Sequence, residues 1–251
     1  TYPAGFFANF LKESKNSRVF IQHHSQDILQ VNNGFFNFNK TNYINNKKAS
    51  WFKKINRIFI HNKMLNIIRN AFLNIGVSKL VCEVVKNYSL KNSNNHVLYN
   101  GVDTNKFFIS KNSKISNNKL SEDNYVIGCV GNFFPDKGHL VLLQSINILE
   151  DNLKEKVKLK FIGTGSTKEE CKLYSEKYLS QNNVTYTNAM EHKSLNEFYN
   201  SLDLFVLPSS WEGLGCVYLE AYSCGVPFIG VKGQGIDEWV PKELKNNLLC
   251  N

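Results

Sequence analysis

An α/β fold with a parallel sheet is predicted from three observations on the 251-residue chain. Residues 125–231 alternate short apolar β-type runs with helical segments, the loops following those runs are rich in glycine, and a polar stretch at 109–124 sets this half apart from a basic first half. Strands are expected at Tyr125–Val130, Val157–Ile162, Val184–Thr187, Leu204–Leu207 and Pro227–Val231. Helices are expected between them near Leu140–Leu149, Glu169–Leu179, Leu195–Asn200 and Val217–Ser223. Strand-then-helix repetition puts helices on both faces of a parallel sheet, and ligands of such sheets bind beyond the carboxyl ends of the strands. The loops at that edge are Gly131–Gly138, Gly163–Ser166, Ser209–Gly215 and Lys232–Gly235.

The first half is less regular. A short helix is expected through Phe10 and Leu11, then a β-type run from Arg18 to Gln22 ending in His23-His24. Residues 30–50 have loop composition, crowded with Asn, Lys and Gly. From Phe52 to Phe72, apolar residues such as Ile60, Met64, Ile67 and Ala71 fall at helical spacing. A strand at Leu73–Val77, a helix at Leu80–Val85 and a strand at His96–Tyr99 complete this half, closed by the turn pair Asn100-Gly101. Residues 109–124 have almost nothing to bury and read as a linker. The expected division is thus 1–108, linker 109–124, and 125–251.

Composition excludes several classes. With 42% hydrophobic and 20% charged residues the chain is globular, and no apolar run approaches the roughly 18 residues that span a bilayer. No basic-then-apolar leader precedes Tyr2, so the start reads as cut. None of the six cysteines forms a Cys-x-x-Cys pair, so buried free thiols in a reducing cytoplasm are expected rather than zinc or disulfides. The net charge of +9 is uneven. Residues 1–120 hold 18 Lys+Arg against 4 Asp+Glu, and residues 121–251 hold 12 against 17. The front half is therefore expected to meet something anionic, with an anionic membrane surface favoured; no recognition helix, zinc finger or aromatic-interleaved basic stripe supports nucleic acid.

The loop chemistry follows from residue type and placement. Gly131 directly after a strand permits a sharp turn, and Lys137 near the loop's end can set an ammonium over a phosphate. Gly163-Thr164-Gly165 starts a Gly-x-Gly, but Lys168 stands where a dinucleotide loop wants its third glycine, and no Walker loop exists. Gly213 and Gly215 free the backbone just before a helix whose first amides favour a diphosphate. Glu212 and Glu220 flank that position, where phosphate would repel them and sugar hydroxyls would not.

These residues carry a family resemblance. Ser209-x-x-Glu212-Gly213-Leu214-Gly215-x-x-x-Leu219-Glu220-Ala221-x-x-x-Gly225-x-Pro227 contains a Glu-x7-Glu pattern. It resembles the retaining glycosyltransferases of family four, the group 1 glycosyltransferases with the two-domain GT-B fold. Asn100-Gly101-Val102-Asp103 with Phe107, Gly131 to Gly138, Gly163-x-Gly165 and Gly235-Ile236-x-Glu238 match in the family's order. Tyr2-Pro3-x-Gly5 and His24-Ser25-Gln26-Asp27-Ile28 match more loosely, with Ser25 in place of a glycine. The resemblance implies two Rossmann-like domains, the first lacking its opening strands and a glycine-rich loop, with a short C-terminal tail.

By position, the resemblance implies that Lys137 neutralises the donor diphosphate, aided by Gly131, Asn132 and Gly163 around it. The Gly213–Cys216 turn is implied to bind its oxygens through the amides of Leu214, Gly215 and Cys216. Glu220 would hold the ribose hydroxyls, Glu212 a hydroxyl of the transferred sugar, Met190 the base through its main chain, and His24 the sugar or acceptor. Catalytic roles fall to Glu212, Lys137 and His24. Many relatives carry Arg five residues before the lysine; Asn132 stands there, and residues 121–251 contain no arginine. With no Asp-x-Asp triplet, no metal is expected. The implied activity is metal-independent, retaining transfer from a UDP- or GDP-sugar to a glycan or lipid-linked acceptor at the inner membrane face, with no cofactor. A sugar-nucleotide epimerase, a phosphorylase or a non-catalytic nucleotide-binding fragment stand as alternatives.

Overall fold

Among the described residues every paired strand runs parallel, as the alternating pattern requires. The computed structural model describes residues 18–24, 62, 65–91, 93–111, 113, 124–180 and 183–251. Their contacts divide the chain into two units, Thr1–Asn100 and Gly101–Asn251.

In the first unit β1 (Phe20–His23), β2 (Leu73–Gly76) and β3 (Asn95–Val97) form a sheet of order β1-β2-β3. Helix α1 (Lys79–Tyr88) follows β2, and Ser78 caps it by accepting from the Val81 amide at 3.1 Å. Val81, Cys82, Val84 and Val85 fall on one stripe and are buried. Asn74, fully buried in β2, donates to the Ile68 carbonyl at 3.0 Å and stands 2.9 Å from His23 Nε2. Residues 65–70 are helical, within the helix expected at 52–72. The helix expected through Phe10 and the 30–50 loop lie outside the described residues.

The second unit holds β4 (Tyr125–Val130), β5 (Val157–Ile162), β6 (Val184–Thr187), β7 (Leu204–Val206), β8 (Phe228–Val231) and β9 (Leu249–Cys250). Between them run α2 (His139–Asn147), α3 (Lys168–Tyr178), α4 (Leu195–Asn200) and α5 (Cys216–Ser223). The strand order is β6-β5-β4-β7-β8-β9. The chain steps outward from β4 to β6, then returns to the other side of β4 for β7. The crevice lies at that reversal, between the carboxyl ends of β4 and β7. Two aromatic clusters fill the unit: Phe133, Phe161 and Tyr186 near β5, and Tyr199, Phe205, Tyr218 and Phe228 near β7.

Contacts divide the chain after Asn100, eight residues before the end expected for the first domain. Phe107 is buried, its carbonyl accepts from Ser223 Oγ at 2.6 Å, and the amides of Phe108 and Ser110 donate to the Asn196 and Asn200 side chains at 3.0 and 2.8 Å. Ser110, expected in the linker, is thereby fastened to α4. The polar composition hid this because the partners are side-chain amides rather than an apolar core. Residues 114–123 lie outside the described residues. Strand β9 was not expected; two residues are too short for a period to register.

None of the six cysteines is in a disulfide: Cys82, Cys129, Cys171 and Cys224 are buried, Cys216 is half-buried and Cys250 exposed. Burial, helped by the nearby Glu170 charge, pushes the Cys171 thiol up to about 12, and burial raises Cys129 as well. An aromatic disulfide reagent at pH 8 is expected to modify Cys250 at once, Cys216 more slowly, and the four buried thiols only on denaturation. Immediate reaction of all six in the native protein contradicts this packing.

Candidate functional site

The two loops at the crevice are pressed together. Pro135 starts a single 3-10 turn, Pro135–Lys137, that ends at Gly138 with φ 71°. A Cβ on Gly138 would stand 2.1 Å from the Pro208 carbonyl oxygen, so only glycine lets the loop after β4 lie against the loop after β7. The Ser210 amide donates to the Asp136 carbonyl at 2.8 Å. This docking brings Lys137 Nζ to 2.6 Å from Glu212 Oε2, with the two side chains only 12% and 13% exposed. Asp136 Oδ2 lies 3.9 Å from the same ammonium. The loop after β8 fixes Glu212 in turn: its amide donates to Gln234 Oε1 at 2.9 Å, and its carbonyl accepts from the Gly235 amide at 3.0 Å.

Helix α5 begins immediately beyond. Its N-cap Gly215 has φ 75°, and a Cβ there would meet the Tyr218 ring at 2.6 Å and Glu212 Cγ at 2.9 Å. The amides of Leu214 and Gly215 donate to no protein acceptor among the described residues. Two unengaged amides at a helix start, beside an ammonium, suit an anion. Glu220, one turn into the helix and 7% exposed, has different partners. Its Oε2 accepts from the Tyr199 hydroxyl at 2.7 Å, and its Oε1 stands 3.3 Å from His192 Nε2. The two glutamates thus have separate partners, one a lysine and the other a tyrosine and a histidine.

Of the remaining predicted residues, Gly131, Asn132, Gly163 and Met190 lie in the loops after β4, β5 and β6, and His24 lies in the first unit. Gly131 and Gly163 are joined to neighbouring strand ends by backbone bonds, Gly131 to Ile162 at 3.0 Å and Gly163 to Thr187 at 3.1 Å. Asn132 is exposed. Met190 is half-buried just beyond β6, in a segment tied back by Lys168, whose ammonium donates to the Gly163 and Thr187 carbonyls and to Asn188 Oδ1 at 3.0, 3.2 and 2.9 Å. Lys168, noted in the sequence only for not being glycine, therefore closes the β5 loop onto the β6 loop. His24 is exposed at the carboxyl end of β1 in the first unit, whereas adjacent His23 turns inward to Asn74.

Four side-chain atoms at the crevice are buried without a hydrogen-bond partner among the described residues: Asp136 Oδ2, both ring nitrogens of His139, and Ser209 Oγ. Outside it the same is true only of Asn95 Oδ1. Most of the unpaired buried polar atoms among the described residues thus sit in the crevice wall. His139 stacks on Phe133 with centroids 4.0 Å apart. Burial first, then the Lys137 charge, hold its imidazole down at about 4, opposed weakly by the Gly131 backbone. It is neutral at physiological pH and adds no charge to the site. Its only signal in the sequence was its place directly after Gly138. No described group of three or more His, Cys, Asp or Glu is placed to hold a metal ion, and no described helix is long and apolar enough to cross a membrane.

Comparison with known proteins matches residues 110–250 to the family described as "Glycosyl transferases group 1". Protein CapJ of Staphylococcus aureus is 30% identical over 197 residues, 78% of this chain and 47% of CapJ. The capsular polysaccharide biosynthesis glycosyltransferase CapM of the same organism is 35% identical over 134 residues, 52% of this chain and 34% of CapM. The chain thus spans about half, or less, of these relatives' lengths. The structure of Anabaena HepE in complex with UDP-glucose superposes with a TM-score of 0.68 at 19% identity, covering 100% of this chain and 63% of HepE. That likeness concerns fold: α/β units with parallel sheets, as in GT-B proteins.

The depressed His139 pKa predicts a pH dependence. The folded imidazole titrates near 4 and an unfolded one near about 6.5, so in that interval the unfolded chain binds the additional proton. Stability from this group is full above about pH 6.5 and falls as the pH drops toward 4, by up to about 3 kcal/mol. His139→Phe is expected to flatten the decline of the unfolding midpoint between pH 6.5 and 4.5. An unchanged slope in the variant would falsify the assignment.

Proposed function

The chain belongs to the group 1 glycosyl transferases, and on that premise we propose that it moves a sugar from a nucleoside-diphosphate donor to a glycan or lipid-linked acceptor, with retention of configuration and without a metal ion. The reading rests on the Lys137–Glu212 pair in the β4/β7 crevice, set 2.6 Å apart beside the unengaged amides that start α5. Lys137 and the amides of Leu214, Gly215 and Cys216 take the donor diphosphate. Gly131, Asn132 and Gly163 shape the wall around it, and the main chain at Met190 meets the base. Glu220 holds the ribose and Glu212 a hydroxyl of the transferred sugar. His24 serves the sugar or the acceptor.

The chemistry needs charge stabilisation above all. As the bond between the anomeric carbon and the diphosphate oxygen breaks, negative charge grows on the leaving group, and oriented amides with one ammonium meet it without reorganising. The acceptor hydroxyl attacks from the face that the diphosphate leaves, and the departing phosphate oxygen takes its proton. Glu212 already sits on Lys137, so the ammonium is aimed before the donor arrives. Support for a metal-free site comes from the absence of any Asp-x-Asp triplet. The surplus of Lys and Arg in residues 1–120, 18 against 4 Asp and Glu, suits docking on an anionic membrane surface at its cytoplasmic face, where a lipid-linked acceptor is reached.

In the full-length protein, with UDP- or GDP-sugar donors, Lys137→Ala and Glu212→Ala are each expected to lower turnover by roughly 100-fold or more. Free nucleoside diphosphate is expected to be released only when acceptor is present, which separates transfer from epimerisation. Near-normal turnover in both variants overturns the assignment.

A further inference from the structure

Glu220 is braced on its inner side by a group that no donor can touch. Tyr199, on α4, is 0% exposed, and its hydroxyl donates to Glu220 Oε2 at 2.7 Å. Its ring is wedged edge-on by Phe107, Phe198 and Phe205, each with centroids 5.8 Å away. Burial, and then the charge of Glu220, push this phenol far above its usual range, so it remains an O–H donor. The other carboxylate oxygen has a different outlook. Oε1 stands 3.3 Å from His192 Nε2, and that imidazole's side chain is 62% exposed, so Oε1 is on the solvent side. Phe107 also packs edge-on against His192 at 5.0 Å. One oxygen is committed inward and one outward, because a nearly buried carboxylate needs a donor on its inner side.

We propose that Tyr199 is a positioning residue for Glu220: by holding Oε2 inward it fixes the carboxylate so that Oε1 alone is presented to the ribose hydroxyls of a nucleoside diphosphate. This rests on the reading that Glu220 holds the ribose. A free Glu220 would sample several rotamers and lose that aim on each approach of the donor; one pinned by Tyr199 does not. The ribose hydroxyls then compete with His192 for Oε1. Tyr199 never meets the substrate, so its removal changes donor affinity through Glu220 only.

The test compares nucleotides that have and lack the ribose hydroxyls. Dissociation constants of the chain for UDP and GDP, and for their 2′,3′-dideoxy analogues, are measured with Tyr199→Phe and with Tyr199→Phe in a Glu220→Ala background. Tyr199→Phe is expected to weaken ribonucleotide binding about tenfold, to leave dideoxynucleotide binding unchanged, and to add nothing once Glu220 is gone. Phe107→Leu keeps the phenol but slackens its support, and is expected to give the same ribose-dependent loss at about threefold; it supplies the reading if Tyr199→Phe does not fold. Equal losses for both kinds of nucleotide, or no loss in either variant, overturn the proposal. Wild-type protein that binds ribo- and dideoxynucleotides alike instead removes the ribose role of Glu220, and the proposal with it.

Discussion

The site depends on one close approach, the backbone of Gly138 against the carbonyl of Pro208. The strand order puts β7 beside β4, but adjacent strands alone do not bring their following loops together. With no side chain at Gly138 the two loops touch, the Ser210 amide reaches the Asp136 carbonyl, and Lys137 and Glu212 meet although 75 positions separate them. The pair is held mostly away from solvent. Neither charge can be withdrawn without leaving the other poorly solvated, which makes the two residues one unit.

The division of labour between the glutamates follows from backbone position. Glu212 lies in the glycine-flanked loop ahead of α5, clasped at its amide and carbonyl by the loop after β8, and its carboxylate is free to face the lysine. Glu220 lies inside α5, against α4, where helix geometry turns it toward Tyr199. Seven intervening residues, a glycine-bearing turn and then the first turn of α5, therefore separate a carboxylate that answers a cation from one that answers a hydroxyl.

Much of this was legible in the sequence, and the parts that were not share a cause. The strands Tyr125–Val130, Val157–Ile162 and Val184–Thr187 fall where the sequence predicted them: β4 ends in a continuous buried run, whereas in β5 and in the edge strand β6 β-type residues alternate with more exposed positions. Lys137, Glu212 and Glu220 stood out through their glycine neighbours and the family pattern. Their partners did not. That Lys137 would pair with Glu212, that Lys168 would bind three oxygens across two loops, or that Tyr199 would stand behind Glu220, depends on contacts between distant segments that no local period encodes. The start of the expected linker was hidden for the same reason: Ser110 reads as solvated until Asn200 is seen to accept its amide.

The placement of β4 at the centre has a bearing on how the chain reaches its native state. Ile127 and Gly128 pair with Leu204 and Phe205, so the middle strand's second edge closes late in order of contour length, after β5 and β6 are already in register on the first. During synthesis the bare edge waits until about two thirds of the unit has been made, and long-range parallel pairing is intrinsically slow. A chain interrupted before β7 would leave that edge of β4 unpaired and open to another strand.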